Sequence, residues 1–480
     1  MTITRNLIST NLHTGLPHYS LGRAGGVYYV AFNMDDRETS PTWRPYLYQS
    51  TSPFTSWSET FRLNDGYHTW YTPTMYTNAV SNMYLGCKAI SSSIVWSTYW
   101  YDADGTGWQD EEVINSGNNY DCFYFGKQDE SERYTIKSSW SGTQNETKLY
   151  RDQGSGWSQL GSTFNEESTA YRYQYMDAAY SHPYIMVAYR RYTAADPTNT
   201  REVRFAYVNV TNGSWSSPVS LSSIDSSAKT PAILRSAVGD IWVSWNQKYS
   251  GIYQIYVNRH NGVSWSGETK ITDESVDQLW PRVHYTANAT YMYVLLWAGL
   301  GYGTNTDKYQ ICQKVWEATN DSPPFVGEWG DTEVLTDEAV DQRYPQGIVC
   351  DSSTPPSMLY VWQEMSDPSN LYSGTQILGS TGTKIDDRQI RAPERFILRG
   401  LSGYGKLYRR VTSEILSPDG STTVFALTYT PDTGTVRVYK NGMLLRDGAS
   451  NDYTISGKNI TFNDTPSSDD ILQICYLATD

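Results

Sequence analysis

Two short stretches place carboxylates and amides at matching positions: ITDESVDQLWP at 271–281 and LTDEAVDQRYP at 335–345. If both occupy equivalent corners of one repeated unit, Asp277 and Gln278 stand near Asp341 and Gln342, a set able to coordinate a cation or hold a polar ligand. Tight turns and caps need the same residue types, so a purely structural use is the competing reading. A second group of useful side chains sits in polar insertions. These are Asp35, Asp36, Arg37 and Trp43 in 33–45, Arg190, Arg191 and Tyr192 in 190–202, Tyr302 and Asp307 in 298–309, and Tyr372 in 363–374. Aromatic rings beside carboxylates and amides suit sugars, because a ring covers the apolar face of a pyranose while polar neighbours take its hydroxyls. With 40 tyrosines in the chain, incidental clustering is the competing reading.

What must position these residues is a repeat. Trp265 precedes Ile271 by the same step that separates Trp329 from Leu335, Trp57 from Leu63, Trp108 from Ile114 and Trp215 from Leu221. Together with Trp157, these indoles recur at intervals of about fifty residues, each behind a glycine-bearing or polar corner such as DADGTGW, RDQGSGW, VTNGSW or RHNGVSW. A shared apolar-to-proline spacing joins Leu63 to Pro73, Leu221 to Pro231, Ile271 to Pro281 and Leu335 to Pro345. Strongly apolar segments follow, among them IWVSW at 241–245 and MLYVW at 358–362. Each unit reads as four strands, and stacking such sheets radially buries their faces, with Trp and Tyr filling the wedges. The expected fold class is therefore all-β: a seven-bladed β-propeller over residues 1–390, with six blades as the alternative. The N-terminal MTITRNLI is expected to close the last blade. In that topology the loops between strands two and three share a face with the loops leading into each next blade, and all the residues named above fall there.

Composition excludes several classes of function. Charged residues are 18% of the chain and the net charge is −14, with 37 basic against 51 acidic residues and no basic stripe. Nucleic acid is thus not an expected partner, since phosphate binding needs a concentrated positive surface. No apolar stretch is long enough for membrane insertion, and the start lacks the apolar core of a secretory signal. Five scattered cysteines read as buried free thiols, not a zinc site. No cofactor is expected, and no metal ligands are assigned.

The corners resemble the Asp box of sialidase-like (BNR) propellers. In RDQGSGW the box's Asp, Gly and Trp fall on Asp152, Gly154 and Trp157, with Tyr150 where Ser or Thr is usual; Asp104 stands one place late in DADGTGW, and His260 replaces the Asp in RHNGVSW. The resemblance implies the propeller fold over 20–385. A sialidase of this kind would use three arginines, a Tyr activated by Glu, and an acid/base Asp. Arg23, Arg282 and Arg343 lie on or near inner strands, but the family's arginine-isoleucine-proline signature is missing. No catalytic residue is assigned, and the expectation is that the chain is not an enzyme.

After a linker at 391–410, residues 411–480 read as a small β-sandwich: FALTYT and TVRVYK as strands, an Asn441-Gly442 hairpin, then DYTISG, KNITF and ILQICYLA. This order is similar to small β domains of bacteriophage tail and tail-fibre proteins. The similarity implies a virion structural component, assembled in the host cytoplasm, whose small module attaches to other virion proteins in a symmetric particle while the loop-rich face meets a neighbour or a host glycan. The alternatives are a sialidase-like exo-glycosidase and a free multivalent lectin.

Overall fold

The apolar runs fold as antiparallel strands, grouped mostly in sheets of four. The computed structural model describes residues 5–378 and 410–478, apart from 13–18, 25, 37–41, 53, 63–68, 78–82, 91–94, 103–106, 114–118, 127–130, 141–144, 155, 166–170, 194, 196–200, 224–227, 287–292, 319–325, 352–355, 367–368, 417, 432–435, 441–442, 446–447, 449–451, 468–469 and 471. Most of the linker expected at 391–410 thus lies outside the described residues; Arg410 already begins a strand. The chain divides into two units, Met1–Lys384 and Ile385–Asp480.

In the first unit, five consecutive groups of strands form separate sheets: β6–β9 (Thr69–Thr77, Met83–Ile90, Val95–Asp102, Gly107–Val113), β10–β13 (Asn119–Gly126, Arg133–Trp140, Asn145–Asp152, Ser158–Gln159), β14–β17 (Tyr171–Ser181, Tyr184–Thr193, Arg201–Asn209, Val219–Ser220), β18–β21 (Lys229–Arg235, Ile241–Tyr249, Ile252–His260, Thr269–Lys270) and β22–β26 (Gln278–Tyr285, Tyr293–Gly299, Gln310–Ala318, Gly327–Trp329, Glu333–Val334). The two ends of the unit share a further sheet. There β27–β29 (Gln342–Asp351, Ser357–Glu364, Ser369–Ile377) are joined by the N-terminal β1 (Asn6–Leu12), which pairs with β29 through Asn6↔Ser373 and Leu7↔Tyr372. Among the described residues, the pair Leu12↔Met34 links this group to β2–β5 (Tyr19–Ala24, Val27–Asp36, Thr42–Ser50, Ser58–Arg62). The first strands of the groups touch in rotation: β2 meets β6, β6 meets β10, and so on through β14, β18, β22 and β27, which returns to β2. This is a closed, propeller-like ring.

Indoles fill the wedges between sheets. Trp215 packs on Phe164 of the preceding group with ring centroids 4.8 Å apart, Trp265 on Phe205 at 5.0 Å, and Trp329 on Trp242 at 5.4 Å. Trp57 reaches back to the last group, where its Nε1–H donates to Ser373 Oγ at 2.9 Å. Trp157 instead lies against Tyr124 of its own sheet.

The corners behind these indoles use three different acceptors for one job. Asp152 Oδ1 accepts the Gly154 and Gly156 N–H groups, Asn209 Oδ1 accepts Thr211 N–H, and His260 Nδ1 accepts Gly262 N–H. Each side chain caps a backbone donor two residues on, the Asx-turn geometry. Gly154 adopts φ 85°, Gly213 71° and Gly262 88°, the left-handed region that glycine enters without a Cβ penalty.

The quoted repeat is explained residue by residue. Thr272 Oγ1 caps Ile255 N–H and donates to Gln254 Oε1, while Gln254 Nε2 donates to Glu274 O. Thr336, Gln310 and Glu338 make the same set one sheet later, with Ile311 N–H as the capped donor. Asp277 and Asp341 accept the N–H groups of Tyr253 and Tyr309, tying each corner to the third strand of its neighbour or its own sheet. Gln278 and Gln342 accept the indole N–H groups of Trp297 and Trp362 at 2.8 and 2.7 Å. Both indoles and both amides are fully buried. A net hydrogen bond contributes about 1 kcal/mol, whereas burying an indole contributes several, so the amide's main effect is to orient the ring and satisfy an otherwise stranded donor.

The proline that ends the repeat marks a β-bulge. Register shifts interrupt the first strands between Tyr71 and Thr74, Lys229 and Ala232, Leu279 and Arg282, and Arg343 and Gln346. The residue before proline takes a positive φ in three of these: Thr230 at 45°, Trp280 at 55° and Tyr344 at 56°. Proline lacks the N–H that a regular ladder would use, and so fits the interruption. Tyr175, at φ 52°, forms the same bulge without a proline.

The second unit holds two sheets. One contains Arg410–Leu416, Leu472–Ala478, Arg437–Lys440 and Met443–Leu444; the other contains Val424–Ala426, Asn459–Phe462 and Tyr453–Ser456. Val438, Ile460, Phe462, Leu472 and Ile474 form their common core. Lys440 pairs with Met443, the register of a two-residue hairpin.

Replacing Gln278 or Gln342 by Ala strands the indole N–H and is expected to lower unfolding stability by about 1–3 kcal/mol each, measured by chemical denaturation. Unchanged stability would show that these amides are not structural pins.

Candidate functional site

The starts of β14, β18, β22 and β27, the ends of β15 and β19, and the starts of β20 and β24 lie at one end of the sheets, and there cations rest on aromatic rings group after group. Arg190 lies 4.5 Å from the Tyr175 ring centroid and 5.5 Å from Tyr192. Arg191 covers Tyr171 at 4.1 Å and also pairs with Glu202. Lys229 and Lys248 flank Tyr253 at 4.5 and 5.4 Å. Arg343 sits over both Trp280 and Tyr309, at 5.3 and 5.2 Å, and Arg5 over Tyr372 at 4.6 Å. The bulges supply part of this surface through the positive-φ residues Tyr175 and Trp280, while Tyr344, also at positive φ, is buried and meets the Trp280 ring at a tilt of 59° with centroids 4.5 Å apart. Tyr175 is 48% exposed, an unusual state for a ring held in a strained backbone conformation.

Electrostatics on this face follow from burial. Burial, and secondarily Arg201, pushes the Arg190 guanidinium down to about 10. Burial pushes the Tyr309 hydroxyl up to about 12, with Asp277 and Asp341 adding to the shift against the opposing effect of Arg343. Of the repeated carboxylates, Asp341 accepts Tyr309 N–H and pairs with Arg343 at 2.6 Å, whereas Asp277 accepts Tyr253 N–H. Chemically, such a face can stack sugar rings while its cations meet acidic substituents.

Several expected site residues have other positions. Gln278 and Gln342 are buried pins, and Asp277 and Asp341 spend oxygens on backbone N–H groups, so the two pairs do not form an open polar cage. Tyr302 folds inward over Gly299, where an added Cβ would meet its ring at 2.6 Å, and donates to Glu274; burial holds its hydroxyl far above the usual range. Asp307 is on the surface, paired with Lys308. Asp35 and Asp36 end β3 and Trp43 lies in β4, with Asp35 and Trp43 in register, while Arg37 lies outside the described residues. Arg190 and Tyr192 belong to β15, and Tyr372 to β29. Sequence reasoning missed Tyr175, Lys229, Tyr253, Trp280, Tyr309 and Arg343. Two of these were signalled by the repeat itself, in Trp280-Pro281 and in Arg343 just before Tyr344-Pro345.

Further along the first strands, away from this face, all of them line one cavity of about 400 Å³. Its polar groups include Ser20, Asp177, Arg235, Arg282, His284 and Gln346. Arg282 Nη1–H donates to Asp177 Oδ2 at 2.6 Å, and the same oxygen accepts Ile233 N–H. The arginines noted on inner strands do not converge: Arg23 lies over Tyr28, Arg282 on Asp177 and Arg343 on Asp341. His284 Nε2 is buried with no hydrogen-bond partner among the described residues, and burial together with Arg282 pushes the imidazole down to about 3.

No protein-family model and no curated protein matches the chain. Among solved structures, the chain is similar to a polysaccharide lyase, an ulvan lyase, with 13% identity over 78% of this chain and 95% of the other, at a TM-score of 0.52. An α-L-arabinanase of Penicillium chrysogenum solved with arabinobiose matches at 11% identity over 78% of this chain and 98% of its own, but its TM-score of 0.43 carries no weight. The chain thus shares a mostly β-sheet fold with a carbohydrate-active enzyme. This corrects the expectation that it is not an enzyme, and with it the virion, tail and fibre reading: the solved fold that spans more than three quarters of the chain belongs to a polysaccharide-degrading enzyme. Among the described residues, no helix is long and apolar enough to cross a membrane.

The folded imidazole of His284 binds its proton near pH 3, the free one near 6.5. The unfolded state therefore takes up a proton first, and His284 is expected to remove stability as pH falls from about 6.5 towards 3, with a slope of at most about 1.4 kcal/mol per pH unit. Acid denaturation of His284→Gln should show a shallower loss across that window; identical slopes would contradict the assignment.

Proposed function

We propose that the first unit is a seven-bladed propeller that binds and processes a polysaccharide, with an acidic sugar chain laid across the cation-bearing face. Seven first strands touching in a closed ring support the blade count, with β1 as the closing strand of the last blade. The observation that carries the functional reading is the recurrence of a cation on an aromatic ring in successive blades: Arg190 on Tyr175, Lys229 on Tyr253, Arg343 on Trp280, and Arg5 on Tyr372. Arg343 and Arg5 share their charge with Asp341 and Glu364, so in a chain of net charge −14 it is chiefly Arg190, Lys229 and Lys248 that favour an anionic partner locally where the whole molecule would repel it. Rings beside them supply platforms for the sugars. The fold likeness to a polysaccharide lyase agrees with this reading.

A sialidase-like exo-glycosidase is less well supported, because clamping one sugar carboxylate needs arginines that converge. Here the cations rest on rings distributed over several sheets, Tyr175, Tyr253, Trp280 and Tyr372, an arrangement suited to successive residues of a polymer. The spacing of platforms, more than any single pocket, sets the preference.

Incubation with a panel of uronate-containing and neutral polysaccharides tests the proposal. Expected is chain shortening of an acidic polymer, with ultraviolet absorbance from unsaturated uronate if the cut is an elimination and new reducing ends alone if it is a hydrolysis. Arg343→Ala together with Tyr175→Ala should weaken binding at least tenfold, about 1.4 kcal/mol, and added salt should weaken it further. Neither cleavage nor binding across the acidic panel would overturn the reading.

A further inference from the structure

The channel cavity stands apart from the glycan face. His284 lies six positions along β22 from Gln278, roughly 20 Å at a strand's rise per residue. Its wall is mixed, with apolar surface from Met176, Phe125 and Val283 beside the polar groups of Asp177, Arg282 and His284. A volume of about 400 Å³ falls within the range of small-molecule sites.

Arg282 brings a guanidinium to the cavity wall and Asp177 the one carboxylate among the described lining residues, whereas the Arg235 guanidinium turns to Ser236 O, where the Asp240 carboxylate acts on it. The Asp177 carboxylate is heavily used: Oδ2 accepts from Arg282 and from Ile233 N–H, and Oδ1 accepts from Ala178 N–H. Arg282, which lines the cavity, spends Nη1 on Asp177 and has further donors in its five-N–H fork. His284 Nε2, buried and unpartnered among the described residues, is a second polar atom at the same wall.

We propose that this part of the channel binds a small organic carboxylate, its oxygens held between the Arg282 guanidinium and the His284 imidazole and its apolar part against Met176 and Phe125. The site is independent of the glycan reading and would exist if that reading failed. Burial first, and the Arg282 charge second, disfavour the protonated imidazole; an anion here offsets the second, so binding and protonation of His284 reinforce one another. The other groups on the cavity wall leave this coupling intact. Asp177 from β14 and Arg235 from β18 are charged, Gln346 from β27 is not, and burial holds the hydroxyls of Tyr19 from β2 and Tyr76 from β6 in their neutral form, Tyr76 being pushed up to about 12; Tyr124 from β10 and Tyr180 from β14 complete the set.

Titration of the full chain with benzoate, acetate and inorganic phosphate tests this, read by calorimetry and by the His284 imidazole resonance, assigned by its loss in His284→Gln. Expected is tighter binding of benzoate than of acetate or phosphate, an upward move of the His284 titration midpoint on saturation, and affinity that rises as pH falls. Arg282→Met should weaken benzoate at least tenfold; if that variant fails to fold, His284→Gln should abolish the pH dependence of binding. A His284 resonance unmoved by benzoate, phosphate binding as tightly as benzoate, or affinity unchanged in the folded variants would each overturn the proposal.

Discussion

A buried indole must place its one N–H against an acceptor, and this requirement organises the ring. Trp245, Trp297 and Trp362, all fully buried in second strands, each donate to a glutamine: Gln247, Gln278 and Gln342. In the last two the glutamine comes from the first strand of the same sheet, so the bond fixes how strand one enters beside strand two. The neighbouring Asp and Thr of the repeat then cap backbone donors of third strands. One short sequence thereby locks three strands at a corner, and it does so with groups that are unavailable to a ligand.

That lock explains why the candidate face can carry strained residues. The bulge begins immediately after the glutamine, where Trp280 and Tyr344 take positive φ, Arg343 lies over the Trp280 ring, and the buried Tyr344 ring packs against Trp280. Holding a bulky residue there costs on the order of 1–3 kcal/mol, which the buried pins beside it can offset. A rigid corner and an exposed platform are two halves of the same motif. The candidate surface is thus composed mainly of strand ends, whose positions are set by the core, and less of free loops.

The architecture was largely legible because it repeats. The step from indole to apolar residue and the apolar-to-proline spacing both correspond to physical devices, the wedge between sheets and the bulge. The closing role of residues 6–12 was also readable from the incomplete last unit. The site was less so. Letters such as Asp277 and Gln278 suggest ligand chemistry, yet their burial is decided by strands distant in sequence, which no local pattern reports. Arg282, Asp177 and His284 come together only through the ring, from groups more than a hundred positions apart in the case of the ion pair. Whether the chain acts as an enzyme was not legible at all, because the motif looked for was a set of convergent arginines, and the cations here are dispersed over several blades.

Closure by β1 has a consequence for biosynthesis. The strand that seals the ring is made first and its partner, Ser369–Ile377, is made last of the unit. Until then the nascent chain carries an unpaired strand edge at each end of a growing stack, the kind of edge that templates pairing between copies. Emerging chains crowded on one message could therefore exchange their first strands, joining two molecules through the very seam that makes each of them whole.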